Sequence, residues 1–283
     1  NDVIQAIDAG NGELLWQYRR NLPTLQQFHN NPWGQRKRSV FLYDDKLYTI
    51  TRDNVLMALD AKTGRELWEV NRGGDLYATN TQGPIVVDGV VIAGGNCQEA
   101  PFGCFVTGND AKTGKELGQF DPKVPGGQGR YACCDVVNRG VALWKGAVYV
   151  GTLDGRLIKL DAKTGKVLWS VDTVENHSHT YTITGAPRAF DGLIVIGNGG
   201  AEYDSRGYVT AYDAASGKQV WRFHVVPGDP SKPQENAALT AALKTWDTTG
   251  KYRFWKIGGG GAPWNSFAYD PQLDLVYFGT GNG

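Results

Sequence analysis

A nine-residue phrase returns along the chain at a nearly constant interval. It reads "DAGNGELLW" from Asp8, "DAKTGRELW" from Asp60, "DAKTGKELG" from Asp110, "DAKTGKVLW" from Asp161 and "DAASGKQVW" from Asp213. The intervals between these aspartates are 52, 50, 51 and 52 residues, and a degenerate sixth version, "DPQLDLVY", starts at Asp270. Self-similarity at this period is a mark of repeat architecture. The phrase carries its own local physics. The Asp side chain can hydrogen-bond the backbone ahead of it and start a turn. The Gly four residues on permits the positive φ of a tight hairpin. The Trp four residues later sits in the return strand, where its large ring can plug the gap to a neighbouring unit.

Upstream of each phrase lie two more short strands of alternating character. Residues 140–169, "GVALWKGAVYVGTLDGRLIKLDAKTGKVLW", read as four strands joined by Lys-Gly, Asp-Gly and Lys-Thr-Gly turns, and residues 38–68 follow the same plan. Four antiparallel strands in about 50 residues is the period of a β-propeller blade. A helical solenoid would need apolar positions three and four apart over ten or more residues. Only 235–246, "ENAALTAALKTW", offers that, and it reads as one short helix in an inserted loop. The 38 Gly and 9 Trp suit many short strands and tight turns. The expected fold is all-β: a single β-propeller domain over residues 1–283, with units ending near Trp16, Trp68, Gly118, Trp169 and Trp221 and a last half-blade at 264–283. The chain opens on the third and fourth strands of a blade and closes on the first and second. Two arrangements follow: a closed ring of about five blades, one of them composite, or a fragment of a larger propeller.

Balanced charge, 29 basic against 29 acidic side chains, gives no electrostatic case for nucleic acid or an anionic membrane. No apolar run approaches the ~20 residues of a membrane span. The start, "NDVIQAIDAG", has no signal-peptide pattern, as a processed chain would not.

"RYACCDVVNRG", residues 130–140, places Cys133 beside Cys134. A bond between them would close an eight-membered ring across Cα atoms about 3.8 Å apart, below the usual disulfide range of ~4.4–6.8 Å. Such strain marks functional sites; two reduced core cysteines are the plainer alternative. Cys97 and Cys104, in "CQEAPFGC" at a hairpin tip, suit a loop-closing disulfide and an oxidising compartment, with two surface thiols as the alternative. His177 and His179 in "ENHSHTY" read as a polar loop rather than a metal site, and "RKR" at 36–38 as a solvated strand start. The glycine runs lack the Gly-Lys-Ser/Thr element of a phosphate loop. No Cys-x-x-Cys-His is present, so the chain carries no covalent c-type haem.

Residues 119–283 resemble the quinoprotein alcohol dehydrogenases, through "CCDVVNRG", "TITGAPR", "IGNGGAEYDSRGYVTAYDA", "VPGDPSKP", "KTWD", "GGGGAPW" and "YDPQLDLVYFGTGNG" in family order. Residues 1–117 look like another branch of the same superfamily, marked by "NDVIQAIDAGNGELLW" and "NCQEAPFGCFVTGNDAKTG". The blades at 38–68 and 83–117 parallel those at 140–169 and 185–221, with a seam near Gly118. A chimeric or rearranged propeller would look so, and so would any propeller, whose blades resemble one another.

The resemblance implies pyrroloquinoline quinone (PQQ) and Ca²⁺ on an eight-bladed propeller. In the family a vicinal disulfide lies against one face of the quinone, a role that falls to Cys133 and Cys134, and a tryptophan stacks on the other, matched by Trp264. The glycine run before Trp264 is expected to leave a ligand room. Arg139 matches the arginine that pairs with a PQQ carboxylate, for which a planar guanidinium is suited. Thr184, Gly199, Gly200 and Ala201 match hydroxyl and backbone contacts, and Ala262 stands where the family commonly has Thr. Glu202 and Asn282 match the protein ligands of Ca²⁺, a cation that prefers hard oxygen donors. The implied reaction is alcohol oxidation by hydride transfer to the quinone, with an aspartate as base, in the periplasm, passing electrons to a cytochrome. That aspartate has no match here, nor have the family's early glutamate and later cationic residue. The catalytic residue is therefore unassigned. A propeller scaffold, rearranged, engineered or fragmentary and without activity, is the alternative to a PQQ- and calcium-binding enzyme of small alcohols.

Overall fold

A computed structural model describes residues 2–21, 39–51, 53–72, 83–94, 105–133 and 137–281. The chain divides into two compact units, Asn1–Lys123 and Val124–Gly283. The division falls just after Gly118, the position at which the repeat lacks its Trp.

The first unit holds an antiparallel pair, β1 (Asp2–Ile7) and β2 (Leu14–Arg20), and two four-stranded meanders. One meander runs β3 (Phe41–Tyr43), β4 (Lys46–Ile50), β5 (Val55–Asp60) and β6 (Glu66–Asn71). The other runs β7 (Ile85–Val87), β8 (Val90–Gly94), β9 (Val106–Asp110) and β10 (Glu116–Phe120). The second unit has the meander β11 (Val141–Trp144), β12 (Ala147–Gly151), β13 (Arg156–Asp161), β14 (Val167–Asp172). It also has the meander β15 (Arg188–Phe190), β16 (Leu193–Gly197), β17 (Tyr208–Asp213), β18 (Gln219–His224), and the pair β19 (Phe267–Asp270), β20 (Leu275–Phe278). The four complete blades are those read from the sequence. The expected helix is α1 (Ala237–Leu243), capped by Asn236, whose side chain accepts from Leu239 N.

The repeat phrase folds as its chemistry requires. Asp60 Oδ1 accepts from the amides of Lys62 and Thr63 at 3.0 and 2.8 Å and from the Thr63 hydroxyl at 2.8 Å. Asp110 and Asp161 repeat this set, and Asp213 uses Ser216. These bonds hold the carboxyls below their ordinary range, the Thr or Ser hydroxyl first among the causes. Gly64, Gly114 and Gly217 follow at φ +72°, +76° and +73°.

The same glycines receive the docking rings. A Cβ on Gly64 would lie 2.4 Å from Trp16 Cε3, one on Gly114 2.6 Å from Trp68 Cε3, and one on Gly217 3.0 Å from Trp169 Cδ2. Glycine is thus required twice over, for its dihedral and for the close approach of the ring. Trp16 and Trp68 also donate their indole N–H to Ala61 O (3.1 Å) and Ala111 O (3.2 Å). Between blades, buried strand residues form apolar layers such as Tyr149, Leu157, Ile194, Ile196 and Tyr212, joined by Ile183 from the segment before β15. The outermost strands are largely exposed, as in β14.

Candidate functional site

Four segments of the second unit meet at one end of its blades for a topological reason. In an up-and-down antiparallel blade, the start of the first strand and the link between the second and third strands lie at the same end. Arg139 precedes β11, Thr184 precedes β15, Trp264 precedes β19, and Gly199–Glu202 lie between β16 and β17. Together with Cys133 they surround one pocket of about 450 Å³ including its open mouth, lined also by Ala132, Val137 and Thr182.

The segments are tied together by backbone contacts. Arg139 N donates to Thr184 O at 3.0 Å, and its Nη1 reaches the same oxygen at 3.3 Å. Gly199 N donates to Thr182 O at 2.7 Å. Gly185 packs on the Trp264 carbonyl and Gly197 on that of Pro263, with ideal Cβ positions 2.8 and 2.3 Å from those oxygens. The "TGAP" segment and the end of β16 therefore approach "GAPW" closely only because both positions are glycine. Arg139 Cζ lies 4.5 Å from the centre of the Trp264 ring, a cation–π contact.

Seven residues singled out in the sequence, Cys133, Arg139, Thr184, Gly199, Gly200, Glu202 and Trp264, thus line one pocket. Ala201 is half-buried beside them, outside the lining. Cys133 is not a free thiol. Cys134, Asn282, Cys97, Cys104 and the 36–38 run lie outside the described residues. Gly281 N donates to Ala262 O at 3.1 Å, and a Cβ on Gly281 would fall 2.9 Å from Trp264 Nε1. The chain therefore passes the tryptophan wall immediately before Asn282.

The glycine run ahead of Trp264 has a reason different from the expected one. Gly258–Gly261 all have positive φ. A Cβ on Gly258 would meet the Ser205 backbone at 2.4 Å, and one on Gly261 would meet Val226 Cγ1 at 2.7 Å. The run makes room for neighbouring backbone and side chains, and none of its residues lines the pocket. Thr182, by contrast, was not singled out. The alternation in "TYTIT", residues 180–184, was its signal: Tyr181 and Ile183 enter the core, while Thr182 and Thr184 line the pocket.

His177 and His179 lie in an irregular segment and pair with separate carboxylates. His177 Nε2 is 2.5 Å from Asp172 Oδ2, and His179 Nδ1 is 3.2 Å from Asp204 Oδ2. No group of three or more His, Cys, Asp or Glu poised for a metal occurs among the described residues. None of the described helices is long and apolar enough to cross a membrane.

The donor set fits a planar, polyanionic aromatic group with a hard cation: an indole face, a guanidinium, a carboxylate, and backbone bare of Cβ atoms. Residues 74–283 match the glucose/ethanol/alcohol dehydrogenase β-propeller domain, and residues 1–96 match outer membrane protein assembly factor BamB. Quinohemoprotein alcohol dehydrogenase ADH IIB of Pseudomonas putida is 48% identical over 248 residues, 86% of this chain and 34% of that protein. Its ADH-IIG counterpart is 54% identical over 200 residues, 71% of this chain and 27% of that protein. The crystal structure of the Comamonas testosteroni quinohemoprotein alcohol dehydrogenase superposes with a TM-score of 0.67 at 50% identity, covering 71% of this chain and 29% of that one. BamB from Moraxella catarrhalis, at 17% identity and a TM-score of 0.56, covers 79% of this chain and 58% of its own, and shares the fold. The chain spans about a third or less of the length of these dehydrogenases.

Proposed function

Because this chain belongs to the glucose/ethanol/alcohol dehydrogenase β-propeller family, we propose that its pocket binds PQQ together with Ca²⁺, as part of a quinoprotein alcohol dehydrogenase. The convergence of Cys133, Arg139, Thr184, Gly199, Gly200, Glu202 and Trp264 on one pocket carries this reading. Bound there, the quinone would supply the acceptor for a hydride from an alcohol.

The chain's own residues bind and orient. Trp264 offers one flat wall, and a Cys133–Cys134 disulfide the other. Arg139 neutralises a carboxylate of the ligand, for which its guanidinium must leave or share the Trp264 face it now covers. Thr184, Gly199, Gly200 and Ala201 provide hydroxyl and backbone contacts. Glu202, exposed at the pocket, and Asn282 hold the cation. A disulfide at 133–134, and one joining Cys97 to Cys104, fit an oxidising compartment such as the periplasm. One relative is a 1-butanol dehydrogenase (cytochrome c) of Thauera butanivorans, which supports a small alcohol as substrate and a cytochrome as acceptor.

The alternative reading is a propeller scaffold that keeps the pocket without the reaction. Binding and turnover are separable. Titration of the protein with PQQ in excess Ca²⁺ is expected to quench Trp264 fluorescence and retain quinone absorbance through gel filtration. Loss of all quinone on the column under excess Ca²⁺ would refute the binding assignment. Dye-linked alcohol oxidation above background would rule out the inactive scaffold.

A further inference from the structure

The turn that carries Glu202 is held by a residue outside the pocket. Between β16 and β17 the near end of the turn is fixed by backbone, through the Gly199–Thr182 bridge. Gly200 follows at φ +102°, where a Cβ would fall 1.9 Å from Thr180 O. Tyr203 N and Ser205 N both close on Gly200 O, at 3.0 and 3.4 Å. Residues 200–205 therefore form a tight turn with Glu202 near its apex. The far end is fixed by a side chain. Asp204 Oδ1 accepts from Thr180 N at 2.7 Å and from the Thr180 hydroxyl, and Asp204 N donates back to Thr180 Oγ1 at 3.3 Å. Its other oxygen lies 3.2 Å from His179 Nδ1. Burial pushes the Asp204 carboxyl up, but the Thr180 bonds and His179 push it further down, below its ordinary range.

We propose that Asp204 is a positioning residue for the cation site: by tying the turn to Thr180 it holds the Glu202 carboxylate over the pocket. The proposal rests on the reading of Glu202 as a Ca²⁺ ligand. Asp204 is absent from the pocket lining and acts through the turn. Its partner Thr180 stands two residues before Thr182 and four before Thr184, both of which line the pocket, so one segment places the hydroxyl lining and anchors the carboxylate. Outer partners of this kind change metal affinity by roughly 10–100-fold when removed.

The test compares the parent protein with Asp204→Ala, Asp204→Asn, Thr180→Val and Glu202→Gln, each titrated with Ca²⁺ in the presence of PQQ by calorimetry, with hydrogen exchange at the Thr180 amide as a second readout. Glu202→Gln is expected to abolish Ca²⁺ binding while leaving Thr180 exchange unchanged. Asp204→Ala is expected to weaken Ca²⁺ binding roughly 10–100-fold and to speed Thr180 exchange. Asp204→Asn, which keeps an acceptor for Thr180, is expected to recover part of both. Thr180→Val retains the amide and removes the hydroxyl, and is expected to weaken Ca²⁺ binding even if Asp204→Ala does not fold. Parent affinity in a folded Asp204→Ala, or in Thr180→Val should Asp204→Ala not fold, with Glu202→Gln inactive for Ca²⁺, would overturn the role of Asp204 alone. Unchanged Ca²⁺ binding in Glu202→Gln, or none in the parent, would overturn the ligand assignment and this proposal with it.

Discussion

Trp68 and Trp169 occupy the same position of the repeat, yet their truncation should have different consequences. Trp68, on β6, donates its indole N–H to Ala111 O at 3.2 Å. Trp169, on β14, has a buried Nε1 without a hydrogen-bond partner among the described residues. The cause lies across the strand. Trp68 faces Ala58 in the register, whereas Trp169 faces Lys159. Lys159 Nζ takes Ala214 O at 2.9 Å, and Tyr149 Oη takes the same oxygen at 2.9 Å. A carbonyl has two lone pairs, so none is left for the indole. Otherwise the two rings are alike: each sits 5.9 or 5.6 Å from a tyrosine ring, tilted by 53° or 55°. Trp→Phe removes a similar apolar area at both sites. At Trp68 it also removes a hydrogen bond worth about 1 kcal/mol net, while at Trp169 it removes an unsatisfied donor that costs about 1–3 kcal/mol. Trp169→Phe should therefore be less destabilising than Trp68→Phe by about 2–4 kcal/mol. Urea denaturation, read at the transition of the unit that carries each substitution, measures this. Lys159→Ala should return Ala214 O to the indole and move the Trp169 Nε1–H proton resonance downfield. Equal losses at the two sites, or an unmoved resonance in Lys159→Ala, would refute the competition for Ala214 O.

Two further outcomes are expected. Arg139→Lys keeps the charge but loses the planar fork and most of the stacking on Trp264; PQQ affinity, followed by Trp264 quenching, should fall about tenfold, equivalent to about 1.4 kcal/mol. Arg206 hydrogen-bonds Glu235 through both terminal nitrogens, at 2.6 and 3.0 Å, and this pairing first of all lowers the Glu235 carboxyl from 4.5 to about 2. A depressed carboxylate stabilises above its unfolded pKa and loses that contribution as pH falls through the folded one. The melting temperature should therefore decline as pH drops from 4.5 toward about 2, and Glu235→Gln should flatten that part of the profile. The pair is partly exposed, so the effect is modest and should shrink in salt.

Local chemistry made the blades legible in the chain itself. An Asp that accepts from the next amides, a Gly at positive φ and a Trp four residues later need only near neighbours, so the phrase alone determined the outer hairpin of each blade. Cys133, Arg139, Glu202 and Trp264 were legible for another reason, the family motifs around them, and not through any local pattern. Their meeting in one pocket was decided by tertiary structure, because residues from 133 to 264 share a neighbourhood only once antiparallel strands bring their ends together. The same holds for what sequence reasoning missed. The packing role of Gly258–Gly261 depends on Ser205 and Val226 lying alongside, the orphaned Trp169 N–H on Lys159 reaching the next blade, and the anchoring of Glu202 on Asp204 meeting Thr180 across 24 residues. Spacing along a chain encodes a turn; which side chain claims a distant carbonyl or carboxylate is set by sheet register and by competition among donors, and that exists only in the folded protein.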